Sequence, residues 1–278
     1  MKRFLLLVFV LATTIGNAFD NQYNKHDPDT KISSFFLMGE RCSGTKFVNS
    51  LISRNFNIEK AKFSHKHFIP WLNVSKSDKI NSSQLTNSET IQLFKNTEHV
   101  LFIFLVRDPY DWLRSFYQKP HHVKNDLKKN FSTFISHNWE CYGHQSNPEI
   151  TEVDNWNPWK GRKFKNVLEL RKYKNLNFMQ VSSFVKNYLL VRYEDVRDNQ
   201  EEFIEFIASF YSMEKNEEFK PTLTYVGFKE NNQEFKISEY FIPDLKQVLH
   251  INRSMDWNIE RALGYFEKSR LDLAHDNR

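Results

Sequence analysis

The chain has 278 residues, 39 of them Lys or Arg against 34 Asp or Glu, and its net charge of +5 is spread along the whole length. That mild positive balance favours anionic ligands. With no basic stripe, paired-cysteine finger, aromatic RNA-reading signature or leucine zipper beside it, nucleic acid is not an expected partner. Two cysteines, Cys42 and Cys141, cannot staple a small scaffold, so stability must come from packing, in a chain long enough for one α/β domain.

Taken in chain order, residues 1–18 open with Lys2 and Arg3, run apolar from Phe4 to Ile15 and reach Gly16 and Ala18. This is the layout of a secretory signal, and its apolar run is shorter than the roughly 20 residues of a spanning helix. The expectation is a signal peptide or short signal anchor over 1–18, followed by one domain over 19–278. The implied address is the lumen of the secretory pathway (Golgi or ER) or the cell exterior, with a membrane as partner only if the segment is retained. At that address the sequons beginning at Asn73, Asn81, Asn130 and Asn252 become candidate glycan sites, although in so Asn-rich and Ser-rich a chain they could equally arise by chance.

The apolar run Ser34 to Met38 stops at Gly39 and hands over to a helical pattern from Thr45 to Arg54. A second run, Val100 to Val106, ends at Arg107-Asp108-Pro109, where Pro109 suits the first turn of a helix through about Lys119. A third, Tyr188 to Val191, ends at Arg192-Tyr193-Glu194-Asp195 and leads to a helix over about Glu201 to Tyr211. Continuous apolar strands each followed by a helix imply an α/β fold in three layers, a P-loop-like parallel sheet with helices on both faces. Ligands in such sheets collect at the carboxyl ends of the strands. Insertions are expected around 73–90 and 139–163, and Ile251 to about Ser269 reads as a closing helix. No internal repeat is present.

Gly39-x4-Gly44 after a buried strand is half of a nucleotide P-loop, in which backbone N–H groups and a helix N-terminus surround phosphate oxygens. The other half departs from it. Gly44-Thr45-Lys46 transposes the Lys and the hydroxyl that a nucleoside triphosphatase needs, turning the Lys about 100° round the helix.

Three strings together resemble the sulfotransferase family. Arg41-Cys42-Ser43-Gly44-Thr45 is similar to its 5'-phosphosulfate loop, in the Arg-x-Ser-Gly-Thr form of bacterial and Golgi relatives. Arg107 to Ser115 resembles its 3'-phosphate motif, with Asp111 four and Ser115 eight residues after the strand-terminal Arg. Arg192-Tyr193-Glu194-Asp195 is similar to the segment whose Tyr lies near the adenine. The resemblance runs patchily from about Phe35 to Phe266 and implies sulfuryl transfer from 3'-phosphoadenosine 5'-phosphosulfate, without a metal, to a hydroxyl or amine.

Carried onto this chain, the resemblance implies that Arg41, Cys42, Ser43, Gly44, Thr45, Lys46, Arg107, Ser115 and Tyr193 bind the donor. The family's loop Lys falls on Cys42, so Arg41 is favoured over Lys46 as the loop cation, the alternative for Arg41 being an ion pair with Glu40. Cys42 reads as a small loop residue rather than a nucleophile, because no Cys-hydrolase pattern accompanies it. For Arg107 the alternative is capping the strand by pairing with Asp111; for Ser115 it is an ordinary helix serine. Ser64 to Pro70 resembles the segment carrying the family's catalytic His, which places that role on His67, with Arg41 and Lys46 beside it; His121 and His122 stand in reserve. Paired surface histidines and a His65–His67 zinc site are the alternatives.

Trp139, Tyr142, Trp156 and Trp159 could form a sugar platform or pack onto the domain. A secretory address directs the acceptor toward a glycan. Two other readings stay open at this stage, a catalytically silent nucleotide- or glycan-binding member of the fold and a P-loop kinase or triphosphatase. Nothing in the sequence fixes the oligomeric state.

Overall fold

The computed structural model describes residues 19, 21–61, 67, 91–142, 155–157, 159–224, 234 and 236–276. The segment 1–18, the insertion around 73–90, His65, and the sequons at Asn73 and Asn81 lie outside the described residues.

Four strands form one parallel sheet: β1 (Ser34–Met38), β2 (Glu59–Lys60), β3 (Val100–Val106) and, after a short antiparallel pair β4 (Trp156–Asn157) and β5 (Arg162–Lys163), β6 (Asn187–Arg192). The sheet order is β2-β1-β3-β6. Phe35 pairs with Leu101 and Met38 with Phe104, while Phe104 pairs with Leu190 and Val106 with Arg192. All of β1 and β3 is buried, as expected of strands covered on both faces.

Alternate side chains enter two different cores, which follows from the two-residue period of a strand. Phe35, Leu37, Leu101, Ile103, Leu105, Leu189 and Val191 join α1 (Thr45–Asn55), α5 (Tyr193–Asp198) and α6 (Gln200–Phe210) on one face. Phe36, Met38, Phe102, Phe104, Val106 and Leu190 meet Phe178 and Val181 of α4 (Val167–Val181) on the other. A third cluster gathers α2 (Pro109–Gln118), α3 (Phe131–Ser136) and one flank of α4 around Trp112, Phe116 and Trp139. The α/β architecture expected from the apolar runs is the one observed.

The connection from β1 through α1 leads to β2 on one side, while β3 lies on the other side of β1. The carboxyl ends of β1 and β3 therefore flank a switch point in strand order, the usual ligand crevice of open α/β sheets.

One expectation needs correction. Ile251 to Ser269 is not a single closing helix: α7 runs from Leu245 to Ser254, Met255 is extended, and α8 (Trp257–Ala262) starts afresh, with the Asp256 carboxylate accepting the Ile259 N–H. A side-chain cap at Asp256 offers the backbone a stop that apolar spacing does not register. A short helix α9 (Arg270–His275) follows. No helix among the described residues is long and apolar enough to cross a membrane.

The Asn252 sequon is bound into this region. Its side chain accepts from Tyr110 Oη at 2.5 Å and donates to the Lys268 carbonyl at 3.1 Å. Asn252→Ala should lower unfolding stability by about 1–3 kcal/mol, since it removes both hydrogen bonds and leaves Tyr110 Oη, as a donor, and the Lys268 carbonyl only their longer mutual contact of 3.4 Å; chemical denaturation would measure it.

Candidate active site

The loop between β1 and α1 is locked by its own residues. The Glu40 backbone carbonyl accepts from Ser43 N at 3.2 Å and Ser43 Oγ at 2.6 Å. Cys42 sits at φ 62° and Gly44 at φ 92°. The left-handed conformation at Gly44 is one that glycine adopts without steric cost, and a Cβ there would come within 2.3 Å of the Tyr193 ring. Tyr193, the first residue after β6, therefore lies directly on the loop. The helix α1 begins at Thr45 with no side-chain cap, so its first N–H groups lack intrahelical partners at the loop.

Arg107, at the end of β3, reaches the same place. Its Nη1 donates to the Cys42 carbonyl at 2.9 Å and to Ser115 Oγ at 3.4 Å, and its Nη2 donates to Tyr240 Oη at 2.6 Å. The guanidinium stands 4.8 Å from the Tyr193 ring centroid and 5.6 Å from that of Tyr240. Its Nε is buried without a hydrogen-bond partner among the described residues. Asp111 instead binds Arg114 Nη2 at 2.5 Å, so the pairing of Arg107 with Asp111 is not the one formed.

His67 also meets the loop, with Nδ1 at 2.7 Å from the Gly39 carbonyl. A carbonyl only accepts, so this contact puts a proton on Nδ1 and makes Nε2 the basic nitrogen of the neutral ring.

Gly44, Arg107, Ser115, Tyr193 and His67 are thus brought together. Arg41 is not presented with them. Its Nε donates to Glu40 Oε1 at 2.9 Å and its Nη1 to the His121 carbonyl at 3.1 Å, with Phe116 and Trp139 4.7 and 5.5 Å away by ring centroid. The Glu40 alternative is the arrangement formed, but in a buried, aromatic setting rather than on the surface. Lys46 is exposed on α1, and Thr45 and Ser43 are buried. His121 has its pKa lowered, first by burial and then by His122, Arg41, Lys46 and Lys119, which gathers four cationic or protonatable neighbours at the loop's rim.

Cys42 and Cys141 form no disulfide with each other. Burial pushes the Cys42 thiol up to about 11, against the pull of Arg107 and Arg41. At pH 8 only about a thousandth of it is thiolate, so alkylation by iodoacetamide should be slow in the native state and rise about tenfold per pH unit up to pH 10. Mass spectrometry of native and unfolded samples would read this.

The aromatic platform is reduced. Trp139 is fully buried against Phe116 and Phe134, and Trp159 stacks on Tyr173 at 5.1 Å. Tyr142 alone of the four is prominently exposed.

The model of the sulfotransferase domain matches residues 33–247, a span containing all the residues just brought together. The chain belongs to the sulfotransferase family. No curated protein and no solved structure matches it. As a sulfotransferase it is an enzyme of sulfuryl transfer, and the motif residues of that family converge at the carboxyl ends of β1, β3 and β6. Sequence reasoning missed Tyr240, 133 positions from Arg107, and Lys174, which contacts Glu40 from α4. Neither carries a motif by which it could have been found.

Proposed function

We propose that this sulfotransferase uses 3'-phosphoadenosine 5'-phosphosulfate as donor and a hydroxyl or amine of a glycan as acceptor. The observation that carries the reading is the Arg107 guanidinium, joined at once to the Gly39–Gly44 loop through the Cys42 carbonyl and to Ser115. A doubly phosphorylated adenosine fits this donor set. Arg107, with its fork and its buried unpartnered Nε, and Ser115 would hold the 3'-phosphate. The amides of Gly44 and Thr45 at the start of α1 would hold the 5' end, and Tyr193 would flank the base.

The donor supplies a sulfuryl group whose transfer leaves negative charge on the phosphate oxygen it departs from. Loop amides and the helix start face that charge without reorganising. His67, with Nδ1 held by Gly39, is oriented to take the acceptor's proton at Nε2. Arg41 is assigned to holding the loop rather than to the donor, and Lys46 and Lys119 supply the positive rim.

The secretory address rests on the layout of residues 1–18, and the glycan acceptor rests on that address and on the association with the family. Calorimetry tests the donor. Adenosine 3',5'-bisphosphate should bind equally well with and without EDTA and compete with the phosphosulfate; preference for ATP-Mg²⁺ would sink the proposal.

A further inference from the structure

Lys174 has no exposed surface, and Glu40 is 6% exposed. A fully buried lysine is costly unless its charge is paired and hydrogen-bonded. Its Nζ forms an ion pair with Glu40 Oε2, across from α4 to the phosphate loop. The other oxygen, Oε1, accepts the Arg41 backbone N–H at 2.6 Å and Arg41 Nε at 2.9 Å. Burial alone would raise the Glu40 carboxyl, but the Lys174 and Arg41 charges outweigh it and hold the group at about 2.

Glu40 is therefore occupied at both ends. Its side chain joins Lys174 to Arg41, and its carbonyl closes the turn onto Ser43. That turn sets Cys42 in its left-handed conformation and aims the Cys42 carbonyl at Arg107. On the other side Glu40 adjoins Gly39, whose carbonyl holds His67. Nothing else among the described contacts ties the loop to the body of α4 through a charge.

Resting on the donor reading above, we propose that Lys174 and Glu40 are positioning residues that hold the Gly39–Gly44 loop in the shape that receives the 5' end of the donor. The pair does not touch the donor. It acts through the loop, in a chain where the family's loop Lys is replaced by Cys42, so backbone geometry carries more of the recognition.

The test uses the full chain with adenosine 3',5'-bisphosphate and adenosine 3'-phosphate, two probes that differ only at the 5' end. The double variant Glu40→Gln/Lys174→Met removes both charges of the pair together and leaves an amide oxygen at position 40 for Arg41 to donate to. It is expected to keep a cooperative thermal transition and to bind adenosine 3'-phosphate within about threefold of wild type, while losing at least about tenfold for the bisphosphate. Equal losses for both probes would mark the pair as a general stabiliser and overturn the proposal, as would unchanged binding of both. Should the double variant fail to fold, Glu40→Asp, which keeps a carboxylate between Lys174 and Arg41 but draws it back by one methylene, is read by the same two ratios. Failure of the wild type to bind the bisphosphate would sink the donor reading instead, and is seen before any variant is made.

Discussion

Arg107→Ala should weaken binding of adenosine 3',5'-bisphosphate by about 100-fold or more, while adenosine 5'-phosphate loses only a few-fold. The magnitude follows from two charge-assisted hydrogen bonds at about 1.5–3 kcal/mol each, lost in a buried setting. The guanidinium is 9% exposed, so no water readily replaces it. Lysine should not rescue the loss, because a single ammonium cannot serve the Cys42 carbonyl, Ser115 and a phosphate at once. Part of the effect is structural: the variant strands the Cys42 carbonyl and Tyr240 Oη. The two nucleotides separate the parts, since disturbance of the loop alone weakens both, whereas loss of the 3' contact weakens only the bisphosphate. Parallel loss of both would remove Arg107 from the 3' site.

The strands were readable because parallel strands buried on both faces lose the polar alternation that makes other strands ambiguous. Val100 to Val106 shows it plainly, with seven apolar residues and then Arg107-Asp108-Pro109. Once β1, β3 and β6 are parallel neighbours, the residues after Met38, Val106 and Arg192 must be neighbours too. Strings 60 to 150 positions apart thus converge by topology, in the grouping of Gly44, Arg107 and Tyr193 that the family resemblance implies.

Side-chain direction was not readable. Arg41 adjoins the phosphate loop in sequence, yet its guanidinium lies between Phe116 and Trp139. The left-handed turn at Cys42 and the buried carboxylate of Glu40 decide that course, and neither is encoded by spacing. The helix α4 is a related case. Arg171-Lys172-Tyr173-Lys174-Asn175 reads as a solvated face, but Arg171, Lys174 and Asn175 are buried. The partners of Arg171 and Lys174, Glu260 and Glu40, lie 89 and 134 positions away in sequence. Composition cannot reveal a buried charge whose counterion comes from another element.

Arg171 gives the largest expected effect on stability. Its Nε and Nη2 bind the two Glu260 oxygens at 2.7 and 2.8 Å, its Nη2 also donates to the Arg107 carbonyl at 2.8 Å, and the pair is 3% and 1% exposed in its side chains. Arg171→Met should cost about 3–5 kcal/mol, because it leaves Glu260 charged and buried without its cation. For a chain of this size that lowers the thermal midpoint by about 10 °C or more. The pH dependence gives the deficit a sign. A buried carboxylate without a cation holds a proton more readily in the folded than in the unfolded state, so folding of the variant takes up protons. Its deficit should therefore shrink as pH falls from 8 to 5 and widen as pH rises. Adding Glu260→Leu should recover most of the loss and remove that pH dependence, since an apolar pair of similar volume carries no desolvation cost. Scanning calorimetry of the wild type and the two variants at both pH values checks it. A single variant that unfolds within about 2 °C of wild type would mean that the buried pair contributes little. A double variant as unstable as the single would shift the cost to the Arg107 carbonyl, the one partner that both variants leave unbonded.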